Sequence, residues 1–204
     1  DYQSNTPSRK DWRETLDYIK NDQTIKEVIL SGGDPLGISD RQLLWLIGEL
    51  ESIDHLDILR IHSRIPIVLP QRITPELITI FDQTRFDVVM VVHCNHSQEM
   101  SENVKNALMT LQRNSVTLLN QSVILAGIND ETKILKELSH TLFSHGVLPY
   151  YIHLPDKVAG TAHFSVKTDK AIQIIDSLKK ELPGYLVPSL VQEKPGELSK
   201  IRLV

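Results

Sequence analysis

Short apolar runs rich in β-branched residues recur at residues 27–30, 57–61, 87–92, 116–119 and 147–152. They begin about 30 residues apart, the interval occupied by a strand, its helix and their connections. Between them lie residues 39–50, 75–83, 102–113 and 131–144, in which apolar side chains return at three- and four-residue steps. That period is the mark of a helix with one buried face. Alternating strands and helices of this length predict a parallel sheet covered by helices. The chain opens on a helical pattern at residues 9–20 and closes with a helix at 168–181, the pair Pro183-Gly184 and an extended segment at 185–191. A repeat that begins on a helix is expected to lack its first strand, and residue 1, which is not Met, is expected to be an internal position of a longer protein.

Periodicity alone leaves an open doubly wound sheet and a curved barrel as alternatives, and the ends of the runs favour the barrel. Each finishes in polar groups: Ser31, Gly32, Gly33 and Asp34; His62, Ser63 and Arg64; His93 and His96; Asn120 and Gln121; His153, then Asp156. A single polar strand end is often no more than a wet one. Five in succession at the carboxyl ends of parallel strands put a polar ring on one face, where barrel enzymes assemble their sites. The expected fold class is therefore α/β, a partial (β/α) TIM-like barrel forming one domain over residues 1–204.

The charge balance, 22 Lys and Arg against 26 Asp and Glu for a formal −4, argues against a nucleic-acid partner, because there is no basic surplus to displace counterions from phosphates. The longest purely apolar stretch, residues 88–92, is far short of the roughly 20 residues that span a bilayer. The first residues show no basic segment leading into an apolar one, so no secretory leader is expected. A single cysteine, Cys94, excludes an internal disulfide and any multi-cysteine metal site built from these residues alone. The corresponding compartment is reducing and cytoplasmic.

Several residues carry candidate chemistry. The Ser31-Gly-Gly-Asp34 turn lets a ligand approach the backbone closely, although such a turn is often only a turn. His93 and His96 resemble a ligand pair but lack an evident third ligand, which disfavours zinc. Nothing around Cys94 marks it as an activated nucleophile. Asn120 and Gln121 each need a partner if buried, either a ligand or neighbouring side chains. Lys200, four residues beyond Gly196, either dangles in solvent, as most lysines do, or folds over the barrel, where a desolvated amine forms a Schiff base.

Taken together, Val28-Ile-Leu-Ser-Gly-Gly-Asp-Pro-Leu36, Arg60-Ile-His-Ser-Arg64, Leu69-Pro-Gln-Arg-Ile-Thr74, His93-Cys-Asn-His96, Asn120-Gln-Ser-Val123, Gly127-Ile-Asn-Asp130 and Pro149-Tyr-Tyr151 resemble the lysine 2,3-aminomutase family of radical SAM enzymes. Residues 154–164 and 184–188 resemble in particular the branch that serves β-lysylation of elongation factor P. The resemblance runs from about residue 11 to the C-terminus. It implies a radical SAM-type partial barrel, a C-terminal segment 185–204 carrying the cofactor lysine, and three cofactors: S-adenosylmethionine, a [4Fe-4S] cluster and pyridoxal phosphate. It also implies conversion of L-α-lysine to β-lysine by a radical 1,2-amino shift, with a functional link to elongation factor P and its lysyl-transferring ligase.

Residue by residue, the resemblance assigns Lys200 to the lysine that carries pyridoxal phosphate, through the kept spacing from Pro195-Gly196. Asp156 matches a carboxylate that holds the ε-ammonium of the substrate, and Glu193 its partner carboxylate, an Asp in the catabolic enzymes. Ser31, Gly32, Gly33, Asp34, His93 and Gln121 match the S-adenosylmethionine side of the pocket, and Arg64 and Arg72 are candidates for the cofactor phosphate, which a guanidinium binds in a bidentate manner. The family's three-cysteine cluster loop falls before residue 1, so the chain by itself is expected to be inactive in the radical step. Two other readings use the same residues: a Schiff-base lyase or aldolase built on Lys200 without radical chemistry, and a non-catalytic module that only binds lysine or a partner.

Overall fold

The computed structural model describes residues 9–155, 160–193, 196 and 200–204. A first helix, α1 (Arg9–Asn21), precedes β1 (Glu27–Leu30), and the βα repeat then runs α2 (Asp40–Glu51), β2 (Ile58–Ser63), the short α3 (Ile65–Val68), α4 (Pro75–Gln83), β3 (Asp87–His93), α5 (Glu102–Arg113), β4 (Thr117–Val123), α6 (Thr132–Phe143) and β5 (Val147–His153). It ends with α7 (Thr168–Glu181), β6 (Ser189–Gln192) and β7 (Ile201–Arg202). Helix starts are written locally. Ser39 and Gln42 form a reciprocal capping box on α2, Thr74 caps α4 ahead of Pro75, and Ser101 caps α5, each satisfying N–H groups that the first helical turn leaves open.

The seven strands lie side by side in chain order. The first five pairings are parallel, and β7 turns back antiparallel on β6, with Val191 opposite Arg202 and Gln192 opposite Ile201. Alternation along each strand sends one set of side chains under the helices: Leu59 and Ile61, Met90 and Val92, Leu118 and Ile152 are all buried. There they meet Leu43, Leu50, Leu77, Leu108, Leu111, Leu135 and Leu178. The other set, including Ile29 at 47% and Leu148 at 38% exposure, lines an open concave face. The sheet curls as half a barrel, and Tyr150 of β5 reaches across to act on Arg60 of β2. Among the described residues no helix is long and apolar enough to cross a membrane.

Two features depart from the expected pattern. The closing extended segment is shorter than residues 185–191, because residues 184–186 form a 3-10 turn and the strand begins only after Pro188, whose ring removes an N–H from any ladder. The strand at 116–119 instead runs on through Val123. A bulge between Asn120 and Gln121 makes Tyr150 the extra residue of β5. Tyr150 and Tyr151 thereby stack with ring centroids 3.7 Å apart, where regular alternation would send them to opposite faces.

Candidate active site

The turn after β1 holds Gly32 at φ 82° and Gly33 at φ 53°, with open space where a Cβ would stand. The left-handed backbone, not crowding, is what calls for glycine here. Ser31, Gly32 and Gly33 are exposed at the mouth of the concave face. Asp34 behind them is committed to the protein. Its Oδ1 accepts from Ser63 Oγ (2.6 Å) and the Leu36 amide (3.0 Å), and its Oδ2 from the amides of Arg64 (2.8 Å) and Ile65 (3.2 Å). One carboxylate thus ties the glycine turn to the end of β2. Arg72 has a similar employment, donating to the carbonyls of Leu36 and Ile38 and to Asp40 Oδ1 at 2.6 Å, so these bonds hold the 36–40 segment and do not enter the concave face. Arg64 is about half exposed and, among the described residues, its guanidinium makes a 3.4 Å contact with Glu99, which leaves it available at the mouth.

At the next two strand ends, alternation separates the neighbours Asn120 and Gln121. Asn120, 2% exposed, turns under the helices, where its amide accepts from the Cys94 N–H (2.9 Å) and donates to the Cys94 carbonyl (3.0 Å). Its partner is protein backbone. Gln121 turns to the concave side and donates from Nε2 to His93 Nε2 at 2.6 Å. Cys94 is fully buried, and burial pushes its thiol up to about 12, which removes it as a nucleophile. His96 is engaged locally, its Nδ1 accepting from the Gln98 amide. Among the described residues no group of three or more His, Cys, Asp or Glu is placed to hold a metal ion.

The tail closes the ring. Because Gln192 pairs with Ile201, Glu193 and Lys200 stand opposite each other where β6 and β7 diverge, and they form an ion pair. Lys200, its side chain 30% exposed, lies close enough for its charge to lower the pKa of both His62 and His93. The lysine thus lies within electrostatic range of two of the polar strand ends. Its hydrogen bond and charge hold the Glu193 carboxyl below the usual range. Asp156 lies outside the described residues.

His62, on the concave face of β2, is one of the polar strand ends read from the sequence but has no role assigned there, and the pair Arg60–Glu27, in which Arg60 Nε donates to Glu27 Oε1 at 2.9 Å, is not singled out. The period-2 alternation of residues 58, 60 and 62 was the signal for both. His62 Nε2 and Gln121 Oε1 are buried with no partner among the described residues. Buried polar atoms are nearly always paired, so these two fit a polar ligand on this face.

Burial, then Arg60, His93 and Lys200, lower His62 to about 4, and burial followed by Arg64 and Lys200 lowers His93 against the opposing pull of Asp34. The folded chain thus refuses protons that the unfolded chain accepts below its ordinary imidazole value of about 6.5. Stability is full above that value and falls as pH drops toward 4. The expected urea midpoint declines between pH 6.5 and 5, above the range where the carboxylates titrate, and His62→Phe flattens the decline. An equal slope in wild type and variant contradicts the assignment.

No family model matches the sequence. Over 199 residues the chain is 50% identical to the L-lysine 2,3-aminomutase of Haemophilus influenzae, covering 98% of the chain and 59% of that protein. Against the L-lysine 2,3-aminomutase of Escherichia coli K12 the identity is 46% over 202 residues, covering 99% of the chain and 59% of the relative. The chain thus spans about three-fifths of the length of these relatives. A domain of a pyruvate-formate lyase-activating enzyme from Bacteroides vulgatus superposes with a TM-score of 0.53 at 13% identity, covering 82% of this chain and 98% of that one, a likeness of fold alone.

Proposed function

We propose, from the chain's membership of the L-lysine 2,3-aminomutase family, that the protein to which it belongs converts L-α-lysine to β-lysine. The observation that supports this reading is the ion pair of Lys200 with Glu193 beside β6 and β7, within electrostatic range of His62 and His93.

The residues present fit two of the three groups the family uses. For pyridoxal phosphate, Lys200 offers the amine and Arg64 a half-exposed guanidinium suited to a phosphate. When bound, that cofactor supplies a π-system through which an amino group migrates between adjacent carbons. For S-adenosylmethionine, the exposed glycine turn, His93 and Gln121 offer backbone approach and unspent hydrogen-bonding capacity. The [4Fe-4S] cluster does not fit this chain, whose single cysteine is buried and held protonated. Its ligands belong to residues outside the chain, and the chain alone is expected to be inactive in the radical step.

The chain's own residues then have definite tasks. Asp34 fixes the glycine turn against β2, and Asn120 fixes the end of β3. Burial holds the imidazoles of His62 and His93 below their ordinary value, which favours hydrogen bonds to a ligand with little repulsion of its ammonium groups. Delivery of β-lysine to elongation factor P through its ligase belongs to the same proposal, supported by the branch character of residues 154–164 and 184–188.

The test is direct: the full-length protein with its cluster reduced, given S-adenosylmethionine, pyridoxal phosphate and L-α-lysine, is expected to yield β-lysine by chromatography. Unchanged lysine from a protein with an intact cluster contradicts the reading.

A further inference from the structure

The pair formed by Glu193 and Lys200 follows from strand register. Val191 opposes Arg202 and Gln192 opposes Ile201, so the next positions outward face each other, and Gly196 at φ 89° lies in the connection that lets the chain reverse. Cross-strand opposite charges at such positions attract. The surroundings make this pair unlike the Arg60–Glu27 pair of the concave face. Glu27 is about 30% exposed and bound two-pronged to Arg60, itself 18% exposed. Glu193 is 56% exposed and meets Lys200 through one oxygen, which leaves the carboxylate open to a second cation.

We infer that Glu193 is an exchangeable counter-ion: it holds the ammonium of Lys200 while the site is empty, and it turns to an ammonium of the bound ligand once Lys200 carries no charge. The inference rests on the reading of Lys200 as the cofactor lysine and of Glu193 as a carboxylate for the ligand's ammonium, and what it adds is how occupancy of the two sites is ordered. A carboxylate shared by two cations binds either one more weakly while the other is present. Loss of charge at Lys200 and binding of a ligand ammonium are therefore linked, and linkage is reciprocal. An amino acid with a side-chain ammonium is then favoured after the lysine has been engaged and disfavoured before it.

The experiment measures binding of L-lysine and of norleucine, which lacks the ε-ammonium, to the full-length protein without cofactor, by calorimetry. Lys200→Met removes the competing charge and is expected to tighten L-lysine binding about fivefold, at the low end of coupling between sites, with norleucine unchanged. In Lys200→Met/Glu193→Gln the gain disappears, and Lys200→Arg, which keeps a cation opposite Glu193, shows none. Equal lysine affinity in wild type and Lys200→Met overturns the inference, as does a gain shared by norleucine, which reports opened space. The reading beneath it fails separately, if wild type with pyridoxal phosphate shows no imine absorption band.

Discussion

Lys200→Ala in the full-length protein is expected to abolish the imine absorption band that wild type develops with pyridoxal phosphate, and to lower β-lysine formation by on the order of a thousandfold or more. The size follows from positioning. An amine held against the reacting face acts at effective molarities that no free amine in solution reaches, and the structure holds it by register, through the Gln192–Ile201 pairing and the opposed Glu193. Arginine at the same position separates charge from chemistry, since it retains a cation for Glu193 but does not condense with a carbonyl at neutral pH. Lys200→Arg is therefore expected to keep the wild-type urea midpoint while losing the band as completely as Lys200→Ala. A band that survives in both variants places the cofactor on another lysine and removes the anchor of the proposed function.

Much of the fold is legible because it is local. The limits of β1, α4, α5 and α7 follow from β-branched runs, amphipathic periods and N-caps that each segment carries in itself. The two residues of β7 offer no such pattern, and its antiparallel return depends on β6, which explains why the inward position of Lys200 was reached through resemblance and not through periodicity. The site divides along the same line. His93 and Gln121 were legible as strand-end polar residues, and they do meet. Asn120 was legible as a buried amide but not its partner, because a bulge against β5 and the continuation of β4 decide which face it takes. For Asp34 and Arg72 the resemblance implies ligand contacts, while the bonds described for them tie loops together. Lys200 and Glu193 were assigned separate partners by resemblance, and the structure pairs them with each other.

Asn129→Ala is expected to cost about 3–5 kcal/mol of stability, a large part of the 5–15 kcal/mol typical of a folded chain. Asn129 belongs to the Gly127-Ile-Asn-Asp130 segment, which helped carry the family resemblance without any role attached to it. It is fully buried, and its amide serves three backbone groups: Oδ1 accepts from the Leu125 N–H at 2.7 Å, and Nδ2 donates to the carbonyls of Asn95 and Val123, each at 2.9 Å. Asn95 in turn accepts from the Val123 N–H at 2.9 Å. The two asparagines lace the segments that follow β3 and β4 together, directly beyond His93 and Gln121. Alanine leaves three backbone groups unpaired, each worth about 1–3 kcal/mol when buried and not fully additive. The urea midpoint is expected to fall with an unchanged slope, the sign of lost stability without a changed unfolded state. Because β3 and β4 are held at the level of the His93–Gln121 contact, the same variant is expected to weaken S-adenosylmethionine binding in the full-length protein. A midpoint change equivalent to less than about 1 kcal/mol would show that water takes over the three groups, and that the lacing does not set the position of the site.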